Sequence, residues 1–250
     1  MTAVKQTAVN DAVVLIHGGQ HTRECWDPTV TVLRELRPDV TVLAVDLPGR
    51  GSKPAALSEV GIAECVRSVV ADIDAAGLSE VVLVAHSMGG VTMPGVAAAL
   101  GKERVRRMVF VAAAAPPDGM SILDDLMGEL QEDIRERVDA PAESPPFPRG
   151  TVESLFCNGM TEEQTDFVVR CMCPESNLLA TQKVDRSDMP PSIPRTWVLT
   201  LQDRAVPPDQ QRQHVDNLGG ADEIVEIDTC HDVMVSEPEI LAKILIDRLV

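Results

Sequence analysis

The stretch Val81-Val82-Leu83-Val84-Ala85-His86-Ser87-Met88-Gly89-Gly90 is a continuous apolar run that stops at a serine, with a glycine pair just beyond it. Five apolar residues without a polar alternation, Val81 to Ala85, read as a strand buried on both faces, as in a parallel sheet. Gly89 and Gly90 remove side chains where such a strand turns sharply into a helix. That turn holds the Ser87 hydroxyl at the carboxyl end of the strand, where open α/β sheets place their ligands. The geometry is that of a nucleophile elbow, with Ala85 standing where the usual G-x-S-x-G pattern has its first glycine. The competing reading is a serine in an ordinary strand-to-helix turn.

Working outward, residues 13–16 form a β-branched run that ends in the glycine loop His17-Gly18-Gly19-Gln20-His21. A helix is expected over 26–36, with Asp27 and Pro28 in its first turn, where acidic residues and proline are favoured. Strands are expected over 40–45, 105–113, 195–201 and 223–227, and helices over 58–76, 207–218 and 237–249. Gly77 suits the left-handed cap of the first of these helices, and a helix after the elbow must run to Leu100 through Pro94 and Gly95. Buried strands alternating with helices predict right-handed crossovers and a mostly parallel six-stranded sheet with helices on both faces.

The alternation breaks after Pro116-Pro117. Residues 117–192 hold the proline-rich stretch 141–148 and two helix-like pieces, 122–138 and 161–172, and are expected to form a helical cap inserted into a core of residues 1–116 and 193–250. Five of the ten Met and three of the four Phe fall in that segment, which suits an adaptable apolar pocket or simply a small helical sub-core. It also carries 16 Asp+Glu against 6 Lys+Arg, so −10 of the net −17 sits there.

The composition is that of a globular chain, and 250 residues suffice for one α/β domain. Residues 1–11 contain no apolar export segment and no run approaches the length of a membrane span, so a cytoplasmic protein is expected. The six cysteines are then expected to be reduced, and Cys171-x-Cys173 lacks the second ligand pair of a structural zinc site. A net charge of −17 argues against nucleic acid or an anionic membrane as partner, because both need a basic patch. A homodimer is an open expectation.

A serine hydroxyl is a poor nucleophile until a neighbouring base takes its proton, and that base needs an acid to orient it. One known chain order for the three groups is Ser, then Asp or Glu, then His. Asp203 follows the strand expected at 195–201, and His231 follows the strand at 223–227, so both fall on the same sheet edge as Ser87. Of the other histidines, His17 lies in the glycine loop, His86 in the elbow, His214 inside a helix, and His21 is expected on the loop surface. Asp118, Asp228 and Asp232 compete with Asp203 as the acid, although the last two are too near His231 in sequence to approach it easily from behind. Two backbone N–H donors are also needed for the developing oxyanion. Met88, at a helix start, offers one, and the His17-Gly18-Gly19 loop offers the other.

Together, His17-Gly18-Gly19 with Trp26, Asp46-Leu47-Pro48-Gly49-Arg50-Gly51, the elbow, and His231 followed by Val233-Met234-Val235-Ser236-Glu237-Pro238 resemble the α/β-hydrolase superfamily. The chain is most similar to the small branch that contains plant methylesterases and hydroxynitrile lyases. The resemblance covers nearly the whole core and is weak in the cap. It implies an α/β-hydrolase fold, Asp203 as the acid at the family's interval from His231, and Gly19 and Met88 as oxyanion donors. The lyases of this branch carry a threonine and a lysine where this chain has Gly18 and Asp232, and cyanohydrin cleavage needs that cation. The resemblance thus implies a carboxylic ester hydrolase for small, largely apolar substrates, without cofactor or metal. A lactonase, a carbon-carbon bond hydrolase, a cofactor-free oxygenase and a ligand receptor are its rivals on the same scaffold.

Overall fold

The computed structural model describes residues 11–138 and 143–249. The readings of residues 1–10 and of Pro141 lie outside them. In chain order the strands are β1 (Ala12–Ile16), β2 (Thr41–Val45), β3 (Val81–His86), β4 (Val105–Val111), β5 (Glu143–Ser144), β6 (Glu175–Ser176), β7 (Arg195–Thr200) and β8 (Glu223–Ile227). Six of them form one sheet in the order β2-β1-β3-β4-β7-β8, parallel at every pairing, while β5 and β6 make a separate antiparallel pair. The strand order reverses between β1 and β3, so the loops after these strands open a crevice where such sheets bind ligands.

Alternate residues of the central strands feed two cores. Val13, Leu15, Val82, Val84, Val109 and Val111 face one side, where α1 (Asp27–Leu36) packs on the carboxyl-terminal helix, Pro238–Ile246. Val14, Ile16, Leu83, Ala85, Met108 and Phe110 face the other side, against α2 (Ile62–Ala75) and α3 (Met93–Leu100). Burial on both faces is what an unbroken apolar run buys a strand, and it explains why β3 has no polar alternation. Ser87–Val91 form a tight 3-10 turn that leads into α3. A Cβ at Gly89 would lie 2.8 Å from the His17 carbonyl oxygen, and one at Gly90 would lie 2.5 Å from that of Ala114. Only glycine lets the turn come this close to its neighbours.

Between β4 and β7 the chain crosses the carboxyl ends of the strands. The single helix expected over 122–138 is two, α4 (Ile122–Asp125) and α5 (Glu129–Val138). Leu126 is extended and Gly128 has φ +75, which ends one helix before the next begins. The proline-rich stretch contains β5 and is followed by α6 (Arg149–Leu155), which apolar periodicity does not announce in so short a piece. Next come α7 (Glu162–Cys171), near its expected place, and α8 (Asn177–Thr181). Leu130, Leu155, Phe156 and Val168 join the core on the α1 side. The remaining helices are α9 (Pro208–Asn217), α10 (Val233–Ser236) and α11 (Pro238–Ile246). No helix among the described residues is long and apolar enough to cross a membrane.

Candidate active site

Because the six strands run the same way, their carboxyl ends share one rim, and residues distant in sequence meet there. Ser87 leaves β3 with φ +49, a left-handed conformation that lifts its side chain out of the turn and costs a non-glycine residue roughly 1–3 kcal/mol. His231 Nε2 lies 2.9 Å from Ser87 Oγ, and His231 Nδ1 lies 2.7 Å from Asp203 Oδ2. Asp203 is buried but well solvated by the chain. Its Oδ1 accepts from the backbone N–H groups of Ala205 (2.9 Å) and Val206 (2.8 Å), and its Oδ2 from Thr200 Oγ1 (2.8 Å) and Gln211 Nε2 (3.0 Å). Both carboxylate oxygens are thereby fixed, with one aimed at the imidazole. Burial pulls the pKa of His231 down, but the charge and hydrogen bond of Asp203 outweigh it, and the net shift is upward from 6.5.

The glycine loop after β1 faces this group. His17 Nε2 accepts from the Leu47 N–H at 3.1 Å, so Nδ1 carries the proton and donates to the Gly18 carbonyl at 2.8 Å. Burial and the Arg50 charge push the pKa of His17 down to about 3, and the ring is neutral. A trans peptide directs its N–H opposite to its carbonyl, so holding the Gly18 oxygen turns the Gly19 N–H the other way. Gly19, Ser87 and Met88 line one cavity of about 60 Å³ whose walls are apolar: Ala114, Ile122, Leu126, Leu130, Ile134, Phe147, Phe156, Ala180 and Val206. A second cavity of the same size shares Gly19, Met88, Ile134, Phe147 and Ala180 with it and reaches β5 and β6. Ile122 of α4, Leu130 and Ile134 of α5, and Leu126 between the two helices supply the aliphatic wall of the first cavity. None of the five Met of segment 117–192 lines either cavity, and of its Phe only Phe147 and Phe156 do.

The rival residues go elsewhere. Asp118 accepts from the Arg186 N–H, and Asp228 from Gln202 Nε2, both away from His231. His214 joins α9 to α4 through Asp125, at 2.7 Å. His86 donates from Nε2 to the His231 carbonyl at 3.1 Å. His21, expected at the surface, is 1% exposed, and it pairs with Asp232 at 3.0 Å. Asp232 is fully buried and lines neither cavity. The six cysteines are free thiols. His86, His231 and Asp232 bring potential metal-ligand atoms within 4.8 Å of one another, the one such group among the described residues. Both ring nitrogens of His231 are already engaged by Ser87 and Asp203.

A strand-elbow-helix nucleophile on a parallel sheet, with an acid and a histidine following in that chain order, defines a class of hydrolases, and comparison with known proteins agrees. Residues 13–244 match the model of the alpha/beta hydrolase family, and the chain belongs to that family. It is 28% identical to norfluorocurarine synthase 2 of Strychnos, over 94% of this chain and 93% of that protein. To methylesterase 7 of Arabidopsis thaliana it is 29% identical over 94% of each. Among solved structures, an extracellular alpha/beta-hydrolase from a Paenibacillus species, described as sharing structural and functional homology with tobacco salicylic acid binding protein 2, superposes with a TM-score of 0.82 at 26% identity. That match covers 95% of this chain and 98% of the other.

Proposed function

We propose that the protein is a serine hydrolase that cleaves carboxylic esters of small, largely apolar molecules through an acyl-enzyme on Ser87. The observation that carries this reading is the double contact of His231, 2.9 Å from Ser87 Oγ and 2.7 Å from Asp203 Oδ2. Ser87 Oγ attacks the ester carbonyl while His231 Nε2 takes its proton. Asp203 holds the ring and balances the imidazolium charge. The negative oxygen of the tetrahedral intermediate accepts from the Met88 and Gly19 N–H groups, a pair of donors of which each is worth about 10²–10³ in rate. His231 then returns the proton to the departing alcohol. Water, deprotonated by the same ring, releases the acid and restores Ser87.

Residues 117–192 act as the cap, and its α4 and α5 supply the apolar wall that receives the acyl or alkyl group. The name of methylesterase 7 points to the same bond class. The lyase chemistry of this branch is disfavoured by Gly18 as well as by the missing lysine. A Cβ at position 18 would lie 2.9 Å from both His86 Nδ1 and Ser87 Cβ, so the lyase threonine has no room. The test is turnover of short p-nitrophenyl esters by the wild type and Ser87→Ala. Loss of at least a thousandfold in the variant is expected; equal rates would remove Ser87 as nucleophile. Oxygen consumption that survives Ser87→Ala would place the protein with the oxygenases instead.

A further inference from the structure

The peptide that joins Gly19 to Gln20 is gripped at both ends by buried charged groups that take no part in the triad. Its carbonyl accepts from His21 Nδ1 at 2.7 Å, and its N–H donates to Glu175 Oε2 at 2.9 Å. His21 Nε2 in turn faces Asp232 Oδ2 at 3.0 Å. Both ring nitrogens of His21 therefore meet atoms that can only accept, a carbonyl oxygen and a carboxylate oxygen, and both must carry protons. Glu175, on β6, is held from behind by the Nη2 of buried Arg50. Gln20 itself sits at φ +56, a left-handed conformation that a non-glycine residue keeps only when its surroundings hold it there.

We propose that His21, kept as an imidazolium by Asp232, and Glu175, kept in place by Arg50, are positioning residues that together set the oxyanion loop. They act through the Gly19-Gln20 peptide and do not touch the reacting atoms. The inference rests on the assignment of the Gly19 N–H as an oxyanion donor. Rotation of the Gly19-Gln20 peptide would carry the neighbouring Gly19 N–H out of line with the Met88 N–H, and small misplacements of such donors cost rate out of proportion to their size. Because Glu175 belongs to the segment over the site, the same contact joins the cap to the oxyanion loop. Electrostatics point the same way. Burial lowers the pKa of His21, but the Asp232 charge and hydrogen bond outweigh it and the net shift is upward; Asp232 is held down at about 2 by His21 against its own burial.

Two readouts test this. Long-range 15N-1H NMR of the wild type at pH 8 should show both His21 nitrogens protonated, and a neutral His21 ring would overturn the proposal. The second readout is the rate at which a fluorophosphonate modifies Ser87. There the Ser87 oxygen bonds to phosphorus, fluoride leaves, and His231 takes the proton. In Asp232→Asn, whose side-chain amide can still hydrogen-bond to His21 but carries no charge, the NMR signature should collapse to a neutral ring and labelling should slow about tenfold to a hundredfold. Collapse with unchanged labelling would overturn the role. If Asp232→Asn does not fold, Glu175→Ala and Glu175→Gln decide: slow labelling in the first and near-wild-type labelling in the second are expected, and equal rates in both would refute it. Wild-type labelling without any ester turnover would sink the esterase reading and leave this one standing.

Discussion

At the scale of single residues, the chemistry depends on which nitrogen carries which proton. In the proposed mechanism His231 must be neutral to accept the serine proton; burial lowers its pKa, but Asp203 outweighs that and shifts it upward from 6.5. The kcat/KM of a neutral ester should therefore rise with pH through a midpoint above 6.5 and level off on the alkaline side; a midpoint below that value would show that another group limits the reaction. In Asp203→Asn the ring loses the partner that holds its tautomer, and kcat should fall about 10⁴-fold, the size known for such a change in a Ser-His-Asp triad. Gly18 is the second sensitive point. Its would-be Cβ meets buried His86 and half-buried Ser87, two side chains fixed on the elbow, rather than a flexible tip. Gly18→Ala should cut ester turnover at least tenfold by displacing Ser87, and a variant with wild-type kcat would mean that the elbow yields more easily than its packing indicates.

At the scale of elements, the strands are legible because a parallel sheet buries both faces: β1 and residues 81–85 of β3 print that burial as unbroken apolar runs, and β4 does so from Met108 onward, past Arg106 and Arg107. The elbow was legible because Gly89 and Gly90 are demanded by backbone 2.8 and 2.5 Å away. Gly90→Ala would force that turn off the Ala114 carbonyl and should destabilise the protein by about 1–3 kcal/mol in denaturant unfolding. Residues 117–192 are less legible. Their helices are short, the helix break at Leu126–Gly128 has no apolar signature, and the wall over Ser87 comes from Ile122, Leu126, Leu130 and Ile134 rather than from the conspicuous methionines. Leu126, 4% exposed, touches that cavity from the end of α4. Leu126→Ala should enlarge it and shift preference from acetate towards hexanoate esters, at a cost of about 2–5 kcal/mol in stability. An unchanged chain-length profile would place the acyl group elsewhere.

At the scale of the whole molecule, the meeting of Ser87, Asp203 and His231 on one rim is legible in the sequence because chain order and strand ends constrain it. That of His21 and Asp232 is not: they stand 211 residues apart, and nothing local distinguishes a buried cationic histidine from one on a loop surface. Gln20 and Glu175 are separated by 155 residues and hidden for the same reason. The net charge of −17, most of it on residues 117–192, should give the proposed site a field that repels anions. Raising ionic strength should therefore increase kcat/KM for an anionic ester and leave a neutral one unchanged; an equal response of the two would show that the field does not reach the site. The most direct measurement is mass spectrometry of the protein mixed with an activated ester and quenched within its first turnovers. An added acyl mass on the peptide that contains Ser87, absent in Ser87→Ala, is the expected result. Steady turnover with no adduct on that serine would contradict the covalent mechanism.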